Sequence, residues 1–277
     1  MTADETPIPP SPDVDSEIGR ITRSFSENIF YIGIDRPKKL NGFTPEMFRE
    51  MAQAYTEYEK NDEAYCAIVF SHGPHFTAGI DLPKIAPLMQ SGDREFFRPS
   101  KLIDPLSLRG MIRTKPVICA VRGITFTYGV ELMLSSDITI AGNNCRFSQL
   151  EVLRGIMPTG GATIRFVERA GWGDAMKYLL TGAEFNSEEA LRMKLVQEVV
   201  HPNQVFSRAK ELAQNIVAAA PLAVKETIRN SRKALEEGKD AAVMEFDEVQ
   251  AILSKTNDAK EGVNAFKTKS KPNFKGN

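Results

Sequence analysis

The chain has 277 residues, enough for one large domain with a sizeable core. Its 42% hydrophobic and 26% charged residues exclude collagen-like, low-complexity and wholly disordered classes. Lys+Arg 35 against Asp+Glu 36 leaves a net charge of -1, without the basic excess a nucleic-acid binder usually carries.

Residues 1–17 mix Asp4, Glu5, Asp13, Asp15 and Glu17 with Pro7, Pro9, Pro10 and Pro12, and read as a disordered arm. They have no positive n-region and no apolar h-region, so they do not read as a secretory signal. Ile29 to Ile34 is a buried strand by its β-branched and aromatic content. Arg36 to Asn41 is a loop. Thr44 and Pro45 then start a helix as N-cap and first helical residue. Met47, Phe48, Met51, Tyr55 and Tyr58 give that helix an apolar stripe. Ala67–Phe70, Pro116–Val121 and Ile138–Ala141 are further strands. Residues 82–112 read as an irregular helical stretch broken by prolines. Gly123 to Gly129 is a loop before a short helix, Val130 to Ser135. After Gly161 the pattern is almost entirely helical, with a capping box at Asn186 and Glu189 and a helix start at Pro221. Alternating strand and helix followed by helix predicts an α/β fold with parallel strands. No sequence repeat of 20 to 50 residues is evident.

Cys66, Cys119 and Cys145 are isolated, an odd count without Cys-x-x-Cys. This argues against a disulfide framework and a zinc site, and fits a reduced, cytoplasmic setting. No stretch approaches the roughly 18 apolar residues of a membrane span. His72, His75 and His201 are the only histidines, and no Gly-x-Ser-x-Gly occurs, so a nucleophilic triad is disfavoured. His72 and His75 sit in a Gly-Pro loop, where solvated side chains are the expectation. No Walker A motif occurs, and Gly171-Trp-Gly173 follows no predicted strand.

Two turns are more specific. Gly79, in Phe76-Thr-Ala-Gly-Ile-Asp-Leu82, precedes a helix with Asp81 as cap. Gly123 to Glu131 also ends at a helix N-terminus. Free backbone N–H groups at two such turns, facing one point, would make an oxyanion hole. Glu131 sits in the first turn of an apolar helix, and Glu151 is flanked by apolar residues. Paired carboxylates about a substrate can activate water and deliver a proton. On spacing alone, Glu131 reads equally as a first-turn acid favoured by the helix dipole. Glu151 reads equally as a loop carboxylate paired to Arg154 or left in water.

In order and spacing these segments resemble the crotonase (enoyl-CoA hydratase/isomerase) family. The matching stretches are Asp35-Arg-Pro-Lys-Lys-Leu-Asn41, Phe76 to Leu82, Lys115 to Gly123, Gly129-Val-Glu-Leu132, Ser136 to Ala141 and Phe147-Ser-Gln-Leu-Glu151. Pro158-Thr-Gly-Gly161 and Pro272-Asn-Phe-Lys-Gly276 also fit. The resemblance implies a core of repeated ββα units with two roughly perpendicular sheets over residues 18–200. A C-terminal helical region, 201–277, would build trimers, often paired into hexamers. It implies an acyl-CoA thioester as substrate, with coenzyme A part of that substrate and no separate cofactor or metal.

By the same resemblance, the backbone N–H groups of Ile80 and Tyr128 would hold the thioester oxygen of an enolate. Lys38, Leu40, Ala78, Asp81 and Leu82 match segments lining the CoA and substrate cleft. Glu131 would activate water for attack at Cβ and Glu151 would protonate Cα. Having both favours hydratase over isomerase, with a non-catalytic acyl-CoA or RNA-binding protein as the alternative of another class. The lysines of the tail, Lys267, Lys269, Lys271 and Lys275, either solubilise it or reach CoA phosphates on a neighbouring subunit. Tyr128 replaces a family glycine, Thr159 another, and Pro83 a common lysine. Phe96 and Phe97 fall in the segment expected to wall the acyl pocket.

Overall fold

The computed structural model describes residues 8–12, 17–93, 95–97 and 99–277. Nine strands and eleven α-helices are assigned among them. The larger sheet holds six strands in the order β1-β2-β3-β4-β6-β9. These are β1 (Arg20–Ser26), β2 (Ile29–Asp35), β3 (Cys66–Ser71), β4 (Val117–Val121), β6 (Ile138–Gly142) and β9 (Glu198–Val200). β1 and β2 form an antiparallel hairpin, and every later pairing in this sheet is parallel. The smaller sheet is β5 (Ile124–Phe126), β7 (Arg146–Ser148) and β8 (Phe185–Asn186).

The large sheet is covered on both faces, and its residues alternate between two cores. Phe30, Ile32, Ile34, Ala67, Val69, Val117 and Cys119 point to one side. There they meet Met47, Phe48, Met51, Tyr55 and Tyr58 of α1 (Pro45–Lys60), the predicted stripe, all buried. Ile29, Tyr31, Cys66, Ile68 and Ile118 point to the other, against Val205, Phe206, Ala209 and Ala213 of α7 (Val205–Val217). Thr44 caps α1 as expected, its Oγ1 accepting from the Met47 N–H at 3.3 Å.

A recurring unit organises the middle of the chain: a strand of the large sheet, a short strand of the small one, then a helix. β4, β5 and α3 (Tyr128–Ser135) form one copy. β3, a single bridge at Thr77 and α2 (Leu82–Ser91) form another, because Thr77 pairs in parallel with Thr125 of β5. β5 in turn pairs in parallel with β7, Thr125 opposite Phe147. The repetition is in the backbone and leaves no repeat in the side chains.

Several expectations need correction. Residues 124–126 are a strand, not loop, and β8 and β9 interrupt the helical C-terminal third. Past α2, the described residues of 92–112 are turns and bends with an Ile103–Met111 bridge rather than irregular helix. The arm expected to be disordered is docked at Ile8 and Pro9. Ile8 packs against the α7-side core, and the Pro9 carbonyl lies 2.8 Å from His72 Nδ1. Residues 1–7 and 13–16 of that arm lie outside the described residues. His72 is not solvated: it is buried, with Nε2 2.8 Å from Thr22 Oγ1. Asn186 caps α6 (Ser187–Arg192), but Glu189 turns to Arg192 and Tyr178, so only half of the capping box forms.

The C-terminal region carries α8 (Pro221–Glu237), α9 (Lys239–Val243), α10 (Phe246–Leu253) and α11 (Asn257–Thr268). The tail is strapped back onto α11: buried Asp258 accepts from the backbone N–H groups of Lys275 at 2.7 Å and Gly276 at 2.8 Å. No helix among the described residues is long and apolar enough to cross a membrane.

Candidate active site

The recurring unit brings two equivalent backbone positions together. Ile80 lies three residues beyond Thr77, and Tyr128 three beyond Thr125, its bridge partner. Phe43 sets the direction of the first. Its N–H donates to Gly79 O at 2.8 Å, and its carbonyl accepts from the Asp81 N–H at 2.8 Å. This parallel bridge leaves the Ile80 N–H on the opposite side. Tyr128 is the first residue of α3, where N–H groups lack intrahelical acceptors. Among the described residues neither N–H has a hydrogen-bond partner, and Ile80 and Tyr128 line one cavity of about 570 Å³.

The approach of these turns explains Gly79. Its φ is +101°, and a Cβ there would overlap Thr127 Oγ1. Tyr128, despite standing where the family has glycine, is helical. The positive φ falls one residue earlier, on Thr127 at φ 49° and ψ -112°, an outlier for a β-branched residue. The Thr127 hydroxyl is buried without a partner, so this turn stores strain beside the cavity.

Both glutamates face the same space. Glu131 is 4% exposed on the first turn of α3. Its Oε1 accepts from the Gly160 N–H at 2.6 Å and the Ala162 N–H at 3.4 Å. Burial, and secondarily the charge of Glu151, push its carboxyl up to about 8 despite those donors. Glu151 opens a 3-10 turn, Glu151–Arg154, and burial pushes it up to about 7. Its expected pairing with Arg154 does not form: Arg154 Nη1 donates to Leu153 O at 3.2 Å. Instead the Gln149 amide, turned with its nitrogen toward Glu151, donates to both carboxylate oxygens at 3.1 and 3.0 Å.

Ala78 and Leu82 line the cavity with Ile80, Tyr128, Glu131 and Glu151. Lys38, Leu40 and Asp81 are not among its walls. Lys38 and Leu40 lie on the turn beside it, where Leu40 O accepts from the Ala78 N–H at 2.9 Å. Asp81 does not cap α2 through its side chain. It is held at 2.8 Å by Nη1 of buried Arg36, which also donates to Gly42 O at 2.8 Å. Asp81 thus braces the Ile80 turn from behind.

Sequence reasoning assigned no role to Gly160, Gln149 or Arg165. A Cβ at Gly160 would overlap the Glu131 carboxylate, and the Gly160-Gly161 pair before a helix was the available signal. Arg165, on α4 (Ala162–Ala170), donates to Leu106 O at 2.7 Å, and its charge favours ionised Glu131. Among the described residues no cluster of three His, Cys, Asp or Glu could hold a metal ion.

Two carboxyls titrating near neutrality, beside two unpaired N–H donors, can hold an oxygen that gains charge while moving protons on either side of it. Interleaved sheets of this topology carrying such a site define a crotonase-type fold. Comparison with known proteins agrees: the family described as enoyl-CoA hydratase/isomerase matches residues 24–277, and the chain belongs to it. A Mycobacterium tuberculosis enoyl-CoA hydratase, EchA19, is 34% identical over 88% of this chain and 91% of its own. The short-chain-enoyl-CoA hydratase of Clostridium acetobutylicum is 32% identical over 92% and 97%. A crystal structure titled a probable enoyl-CoA hydratase/isomerase from Mycobacterium abscessus superposes with a TM-score of 0.88. It is 39% identical and covers 93% of this chain and 98% of its own.

Proposed function

We propose that this protein is an enoyl-CoA hydratase-type lyase that adds water reversibly across the double bond of a 2-enoyl-CoA thioester. The observation that carries the reading is the pair of buried Glu131 and half-buried Glu151, sharing one cavity with the unpaired N–H groups of Ile80 and Tyr128. The thioester oxygen accepts from both N–H groups, which favour it most as it becomes an enolate oxygen. Ionised Glu131 takes a proton from the water that bonds to Cβ. Protonated Glu151 then delivers its proton to Cα, and dehydration reverses both transfers. Ala78 and Leu82 flank the thioester, and the CoA arm leaves along the turn carrying Lys38 and Leu40.

The pair works with one proton between two carboxyls. Below about pH 7 both hold protons, and above about pH 8 neither does.

The exposed apolar side chains of the C-terminal helices support an oligomer. Met244 is 84% and Phe266 87% exposed, with Phe246 and Ile252 also open, more than a monomer's surface needs. A trimer, or a pair of trimers, would cover them.

Turnover of an enoyl-CoA in water enriched in heavy oxygen tests the reaction type. A hydratase places the label at C3 of the product. An isomerase using Glu151 alone shifts the double bond and places none, and that result would replace this reading.

A further inference from the structure

We infer that the acyl group this site selects is large and tipped with an aromatic ring, an inference that rests on the acyl-thioester reading of the cavity. Tyr128 and Glu131 stand one turn apart on α3, so the Tyr128 ring borders the space just beyond the catalytic carboxylate. That ring is 3% exposed and meets Phe48 at 4.7 Å and Phe97 at 5.9 Å between centroids, at 71° and 63°. Phe48 also meets Phe96 at 5.9 Å and Phe97 at 5.0 Å, both at 71°. All four rings line the cavity. With Phe43, 4.7 Å from Tyr128, they form a largely edge-to-face cluster, and an aromatic ring entering the cavity finds both faces and edges to contact.

Size agrees. An apolar cavity of about 150 Å³ suffices for a benzene ring. About 570 Å³ leaves room for that and the thioester. Ile85 and Met89 complete the apolar wall.

The substrate class is therefore a 3-aryl-2-enoyl thioester, paired with its 3-aryl-3-hydroxyacyl hydrate. The dehydration direction gives the clearest test: release of water from 3-hydroxy-3-phenylpropanoyl-CoA against 3-hydroxybutanoyl-CoA, followed by the rise of enoyl-thioester absorbance. Intrinsic reactivity also favours the aryl substrate, so the deciding quantity is how a variant changes the ratio of the two kcat/KM values. Phe97→Leu, at a half-buried position, is expected to lower that ratio about tenfold. An unchanged ratio overturns the inference. A 3-cyclohexyl analogue separates ring shape from aromaticity, and its kcat/KM matching the phenyl substrate's would contradict the aromatic claim. Calorimetry of 3-phenylpropanoyl-CoA against butanoyl-CoA keeps the question open to test without turnover. The aryl thioester is expected to bind about tenfold tighter, a margin lost in Phe97→Leu, and equal affinities overturn the inference. Turnover of the butanoyl substrate with no aryl preference would leave the hydratase reading standing. Tight aryl binding without any turnover would do the reverse.

Discussion

At Glu131 the environment works against the charge it must carry. Its folded-state carboxyl titrates near 8, against 4.5 for the ordinary group. The unfolded chain releases this proton near pH 4.5 while the folded chain keeps it, so folding is opposed increasingly from pH 4.5 to about 8 and by a constant amount beyond. Glu131→Gln removes that opposition and keeps an acceptor for the Gly160 N–H. Its Tm should match the wild type's near pH 4.5 and exceed it by several degrees at pH 9, a gain of a few kcal/mol. A difference independent of pH would mean Glu131 is not held protonated. The same two carboxyls give kcat/KM a bell-shaped pH profile with limbs near 7 and 8, and a flat profile across that range contradicts the one-proton pair. Glu131 and Glu151 were legible in the sequence as carboxylates amid apolar neighbours. Gln149 was not, because an amide two residues from an acid announces no contact until the 3-10 turn folds it back.

Among the elements, the paired turns at Gly79 and Thr127 fix the two N–H groups. Gly79→Ala meets both a φ of +101° and the Thr127 hydroxyl, so it should destabilise by more than about 1 kcal/mol and lower kcat at least tenfold. Kinetics equal to the wild type's would mean that this turn does not position the oxyanion. Thr127→Gly is expected to act in the opposite sense on stability, relieving φ 49° and an unpartnered hydroxyl, with a Tm equal to or above that of the wild type. A clear fall in Tm would show the strain reading wrong. Strands β2, β3, β4 and β6 were readable because buried parallel strands are continuous apolar runs. β5, β7 and β8 are two or three residues long, too short for any period to register, so the smaller sheet emerged only from tertiary pairing. Strain at Thr127 was invisible for another reason: a β-branched residue gives no hint of a left-handed backbone.

At the scale of the whole molecule, the proposed oligomer would cover the exposed Met244, Phe246, Ile252 and Phe266. Light scattering should return about three or six chains per particle, and Phe246→Asp should lower that number. A monomeric wild type would leave those side chains unexplained. The tail is held to α11. Its lysines were legible as a basic run, but the hold of Asp258 on the Lys275 and Gly276 N–H groups was not, since a buried acid beneath a polar tail has no sequence signature.

In the proposed reaction Glu131 and Glu151 together hydrate an enoyl thioester held by Ile80 and Tyr128. It is tested most directly by the loss of enoyl-thioester absorbance with wild type, Glu131→Gln and Glu151→Gln, all shown to bind the substrate. The account requires turnover by the wild type and a fall of about a hundredfold or more in kcat in each variant. Turnover surviving in either variant would contradict it.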